Sequence, residues 1–154
     1  MSWGEKIVGH LKPPVVGFGL VALAALLHLA LKPVSPGPLH CVPCGILFGS
    51  GGALILVWSL LAFVRRRTSP VPGSRPNALV IDGPYRFSRN PMYVAAAMLL
   101  CSVACFMGSL PFLIPPIGFV LVMNSLYIPH EERRMAESLG QPYDAYRARV
   151  RRWI

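Results

Sequence analysis

Apolar residues in this chain fall in long unbroken runs rather than alternating with polar ones. Pro13 to Leu31 carries no charge, and its one ionisable side chain is His28. Residues 39–64 are equally uncharged, with His40 near their start. From Asn90 to Pro129 no charged residue occurs at all. That stretch exceeds one bilayer crossing, which takes about 20 apolar residues. It is broken by Gly108-Ser109-Leu110-Pro111, a turn signal. Two spans follow, at about 92–107 and 111–128. Only helices and closed barrels pair every backbone group inside a bilayer, and continuous runs lack the alternation of a barrel strand. The expected fold is therefore all-α and polytopic, with about four transmembrane helices at 13–31, 39–64, 92–107 and 111–128. A loop at 65–90 and a tail at 129–154 complete a single membrane domain. Pro115-Pro116 either kink the fourth span or mark its first turn.

After the fourth span the pattern becomes amphipathic and charged. His130 to Leu139 reads as a helix leaving the membrane, with Gly140 in the position after a helix where glycine is favoured. Pro142 to Trp153 reads as a second, basic helix. Its Tyr143, Tyr146, Val150 and Trp153 recur at helical spacing, which would lay it on the membrane surface.

Composition agrees with this reading. The 154 residues make one domain's length of chain. They are 54% hydrophobic and only 14% charged, against about 25% charged for a soluble domain, and the mean hydropathy is +0.53. A net charge of +9 could suit nucleic acid. However, the charges gather at the N-terminus, from Arg65 to Arg89, and from His130 onward. Neither zinc-finger spacing nor aromatic–basic interleaving is present. Basic residues beside apolar spans face anionic headgroups, so the expected partner is the lipid bilayer and not nucleic acid. Lys6 and Lys12 before the first run resemble the charged start of a signal peptide. No A-x-A-like site leads into a soluble domain, so that run is read as a retained helix.

Charge also predicts orientation. With four spans, both termini and the 65–90 loop share one side, and fourteen of the 15 lysines and arginines lie there. Only Lys32 lies opposite, and all 6 acidic residues join the crowded side. The positive-inside rule makes that side cytoplasmic. The expectation is a multi-pass integral protein, of the inner membrane in a bacterium.

Three motifs could carry chemistry. The loop ends in GPYRFSRNPMY, residues 83–93: a tight turn, an aromatic, two arginines, and Asn90-Pro91 at the mouth of the third span. Asn suits a helix N-cap and Pro the first turn, so a capped helix with snorkelling arginines is the plain reading. Glu131-Glu132 stand where the fourth span leaves the membrane. They could pair at i+3 or i+4 with arginines such as Arg134, or a carboxylate there could bind an ammonium group at the rim of a pocket. Cys41 and Cys44 form a C-x-x-C near the outer end of the second span, where a redox or disulfide role is open. Cys101 and Cys105 lie deep in the third span and supply no second pair for zinc, so no metal site is expected. Packing as buried thiols is the expectation for all four. Gly45 and Gly49 make a G-x-x-x-G, which implies close packing within the bundle.

Taken together, GPYRFSRNPMY, an uncharged hairpin, Glu131-Glu132 and LGQPYDAYRARVRRW closely resemble the isoprenylcysteine carboxyl methyltransferase family and the related phospholipid N-methyltransferases. The resemblance covers about residues 64–154. It implies a membrane methyltransferase using S-adenosylmethionine in a cytoplasmic-facing pocket, with a small or lipid-soluble methyl acceptor. Carried over by position, Asn77, Ala78, Leu79 and Val80 would line the adenosine side and Tyr85 would help enclose the cofactor. Asn90, Pro91, Met92 and Tyr93 correspond to the family's HP-x-Y contacts, and Glu131 would take the amino group. Asn90 replaces the family's His, and Asn cannot serve as a base near neutral pH. Tyr127 stands where characterised members carry an arginine for the substrate carboxylate. Asn124, Tyr127 and His130 are candidates to contact a different nucleophile. Carboxylate, thiol, amine and phenol all remain open as acceptor, as does oligomeric state. Two other classes are weighed: a small four-helix transporter, whose coupling group could only be His28 or His40, and a non-catalytic membrane subunit.

Overall fold

The computed structural model describes residues 11–31, 37, 39–67 and 79–154. Among the described residues all regular structure is helical. Helix α1 is Pro13–Leu31, α2 is Val42–Arg65 and α3 is Pro91–Met107. A 3-10 turn at Leu110–Leu113 leads into α4, Ile114–Val122, then a π-helical turn at Met123–Tyr127, then α5, Ile128–Leu139. Helix α6, Gln141–Arg149, closes the order. The protein is a polytopic membrane protein. Among the described residues three helical stretches are long and apolar enough to cross a bilayer: Pro13–Leu31, Val42–Arg65 and Leu110–Leu139. Helix α3 is equally apolar but shorter, at 17 residues.

The spans agree closely with the hydrophobic runs, and the differences have local causes. Pro115 and Pro116 sit in the first turn of α4 rather than kinking it, because the 3-10 turn before them removes any need for their missing N–H groups. The fourth span and the exit helix are continuous: α4, the π turn and α5 form one rod to Gly140, whose φ of 60° ends it. The final helix is shorter than expected. Val150 is already extended, and residues 150–153 run back along the protein, where their carbonyls are used as acceptors.

Helix α3 packs against both α2 and α4, and α1 packs against α4 and shares core clusters with α3. The α2–α3 contact is the most extensive in the molecule, and small residues make it possible. A Cβ added to Gly49 would lie 2.8 Å from Ser102 Oγ, and one on Gly52 would lie 3.0 Å from the Ala95 carbonyl oxygen. Ser102 Oγ donates to the Gly45 carbonyl at 2.7 Å. The G-x-x-x-G thus packs within the chain, as its spacing implies.

The two ends of the bundle differ. At one end the turn before α2 meets the C-terminus of α3: the Leu39 and Cys41 amides donate to the Gly108 and Cys105 carbonyls. His28 Nδ1 meets Ser109 Oγ at 2.9 Å there. Cys41 and Cys44 correct the expectation of packed thiols, since they are joined as a disulfide; Cys101 and Cys105 are free. At the other end gather the loop, the start of α3, α5, and the tail.

Candidate functional site

The loop is anchored before it reaches α3. Val80 and Tyr85 are buried against Ala62 and Phe63 of α2, with the Tyr85 and Phe63 rings edge-to-face at 5.4 Å. Gly83 adopts φ 60° with the Trp58 indole against it, so a Cβ would meet that ring. Asp82 pairs with Arg66 at the end of α2. These contacts hold Gly83–Arg86 as a 3-10 turn leading to Pro91, the first residue of α3.

One hydrogen bond joins the two motifs that sequence separates. Tyr93, on the first turn of α3, donates its hydroxyl to Glu131 Oε1 at 2.8 Å. The π turn sets this register: it inserts an extra residue into the rod, turning later side chains by roughly 100° relative to an unbroken α-helix. Phe119, Met123, Tyr127 and Ile128 form the buried floor, with Tyr93 and Trp153 packed on it. Burial pushes the Tyr85 phenol well above its usual range, and the nearby Tyr146 and Glu131 push the same way.

Glu132 builds the other half, with partners far away in sequence rather than one turn along its helix. Arg89 Nη2 reaches its Oε1 at 3.0 Å, and Arg152 reaches Oε2 at 2.7 Å through Nη2. Arg152 Nη1 and Trp153 Nε1 both donate to Asn124 Oδ1 at 3.2 Å. The backbone completes the clamp. The Arg89 amide donates to the Arg151 carbonyl at 2.9 Å, and Asn90 Nδ2 donates to the Arg152 carbonyl at 3.0 Å. Tyr146 donates its hydroxyl to the Tyr85 carbonyl at 2.7 Å. Arg89 Nε and Nη1 are buried and find no hydrogen-bond partner among the described residues.

The sequence-derived candidates therefore divide. Tyr85, Pro91, Met92, Tyr93 and Glu131 come together at this end, with His130 half-buried beside Glu131. Val80 holds the loop on α2, and Leu79 before it is half-buried. Asn77 and Ala78 lie outside the described residues. Asn90 occupies the N-cap position without capping through its side chain, because its amide is used on the tail. Asn124 likewise holds the tail. Tyr127 is buried and donates its hydroxyl to the Leu11 carbonyl at 2.5 Å, tying the segment before α1 to the rod. The aromatic positions of α6 are turned into the protein rather than outward. Tyr143 is buried in the protein and Tyr146 is spent on Tyr85, leaving Arg147 and Arg149 on the exposed face. Arg152 was not singled out from sequence, and Arg89 and Glu132 entered only as members of their motifs, without a role of their own. Their one signal is the pairing of the motif's arginine with the second glutamate.

The sequence model of the phospholipid methyltransferase family matches residues 42–142, from the start of α2 to the first turn of α6. An uncharacterized protein of Haemophilus influenzae is 30% identical over 63 residues, covering 41% of this chain and 100% of that relative. No solved structure matches. The matched span takes in the loop, the hairpin and both glutamates, and the chain belongs to the phospholipid methyltransferase family of membrane methyltransferases.

Proposed function

We propose that the protein transfers a methyl group from S-adenosylmethionine to a small or lipid-soluble acceptor that enters from the bilayer. The observation carrying this reading is the Tyr93–Glu131 hydrogen bond, which brings both family motifs to one place. The residues present fit the cofactor's chemistry. Glu131 is a carboxylate able to take an ammonium group through a charge-assisted hydrogen bond. Tyr93 and Tyr85 offer aromatic faces, which attract a sulfonium cation. Arg89 has two buried nitrogens, Nε and Nη1, without partners among the described residues, suited to an anionic oxygen. Leu79 and Val80, with Asn77 and Ala78 before them, would border the adenosine.

When bound, the cofactor supplies an already electrophilic methyl group. The chain's task is then to hold the acceptor in line and exclude water. No residue is assigned as a general base, since Asn90 cannot act as one. Tyr127 is committed to Leu11 and is not offered to a substrate carboxylate, which favours an acceptor other than an isoprenylcysteine carboxylate. The site lies on the arginine-rich side, which the positive-inside rule makes cytoplasmic.

Calorimetric titration of the purified protein with S-adenosylhomocysteine tests the reading, and an absence of binding at millimolar ligand would sink it. Glu131→Ala is expected to weaken binding more than tenfold, since a hydrogen bond to a charged group contributes about 1.5–3 kcal/mol. Unchanged affinity in that variant would remove Glu131 from the site.

A further inference from the structure

The end of the bundle away from the Tyr93–Glu131 site carries chemistry that methyl transfer does not use. Cys41 and Cys44 are disulfide-bonded across Val42 and Pro43, at the N-terminus of α2. The 24 residues of α2 separate them from the loop by about 36 Å. Val42 and Pro43 are exposed and both cysteines are half-buried, so the bond lies at the surface of this end.

The bond is not what fixes the local structure. The Leu39 and Cys41 amides are held by α3 carbonyls, and His40 Nδ1 meets the Phe106 carbonyl at 2.9 Å. A bridge across two intervening residues also closes a short loop, so it restricts the unfolded chain less than a long-range bridge would. What the position does supply is reactivity. The Cys44 amide points at Cys41 Sγ, at 3.4 Å, and the start of a helix favours negative charge. Both features stabilise a thiolate on Cys41. His40 must carry its proton on Nδ1, because a carbonyl only accepts. Its Nε2 lone pair is therefore left on the residue next to Cys41.

We propose that Cys41–Cys44 is a thiol–disulfide exchange site whose electron donor is a low-molecular-mass thiol in the compartment facing this end. The donor thiolate attacks Cys44 Sγ and forms a mixed disulfide there. Cys41 leaves with the bonding electrons as the stabilised thiolate, since the better-stabilised sulfur leaves faster. A second donor thiolate attacks the donor's sulfur in the mixed disulfide and releases Cys44, which takes up a proton. Two donor thiols are thereby oxidised to one disulfide, and Cys41–Cys44 is reduced to two thiols.

The test uses the full chain in lipid nanodiscs, treated with millimolar reduced glutathione, alkylated, and mapped by peptide mass. The expected result is alkylation of Cys41 and Cys44 with the helical circular dichroism unchanged. Sulfurs that react only after unfolding would overturn the proposal. So would a fall in melting midpoint of more than about 5 °C in the Cys41→Ser, Cys44→Ser double variant, which would make the bond structural. Between single variants, Cys44→Ser leaves Cys41 alone. Its alkylation at neutral pH is expected at least tenfold faster than that of Cys44 in Cys41→Ser. Equal or reversed rates would overturn the assignment of Cys41 as the activated sulfur.

Discussion

Glu132 shows how two adjacent carboxylates come to do different work. Successive residues on a helix point about 100° apart, so Glu131 turns toward Tyr93 while Glu132 turns toward Arg89 and Arg152. Arg89 and Glu132 side chains are each only 12% exposed, and at that burial the loss of one partner matters more than the net worth of the pair. Glu132→Ala is expected to cost about 3 kcal/mol, because it removes the carboxylate from a buried Arg89 whose Nε and Nη1 already find no partner among the described residues. Hydrogen exchange should then show residues 150–153 opening while α2 and α3 stay protected. Unchanged exchange in the tail would mean that the backbone bonds to Arg89 and Asn90 suffice. None of this was legible in the sequence. Helical spacing proposes partners three or four positions away, whereas both arginines reach Glu132 through chain reversals that no local pattern encodes. Asn90 misled for the same reason, since the carbonyl that claims its amide lies 62 residues away.

At the level of elements, hydrophobic runs located the helices well because lipid demands it. A chain without water must keep its backbone bonds local, so run length and helix length nearly coincide for α1, α2 and α3. The rule stops at the membrane surface. The tail has water and protein to choose between, and it uses residues 150–153 as an extended strap instead of helix. Between α2 and α3 the small residues decide the spacing, and this is testable. Gly52→Leu places a side chain against the Ala95 carbonyl oxygen, where a Cβ alone already meets backbone at 3.0 Å. Overpacking of that kind costs about 1–3 kcal/mol, and a thermal midpoint measured in detergent should fall accordingly. Gly19→Ala is the matched control, because nothing lies within 4 Å of its added Cβ. Helix propensity favours both replacements over glycine, so an equal fall in both variants would point away from the α2–α3 contact.

For the whole molecule, the charge asymmetry and the placement of the site are one fact. The fourteen basic residues of the crowded side were first an indicator of orientation. Several of them turn out to be parts of the clamp: Arg89 and Arg152 converge on Glu132, and Arg66 holds Asp82 at the head of the loop. A methyltransferase site needs to face the compartment that supplies its donor, while Cys41–Cys44 needs a compartment oxidising enough to re-form the disulfide after each exchange with a thiol. Both conditions are met at once if the tail end is cytoplasmic and the Cys41–Cys44 end is not. Single cysteines read this directly. Leu110 is exposed beside the Cys41–Cys44 end, and Ser138 is exposed on α5 near the tail. In intact cells a membrane-impermeant maleimide is expected to label Leu110→Cys above the level of the unsubstituted protein. Ser138→Cys should be labelled only after the membrane is permeabilised. The opposite pattern would invert the protein. It would separate the proposed cofactor site from the cytoplasm, and it would place the disulfide where thiols are kept reduced.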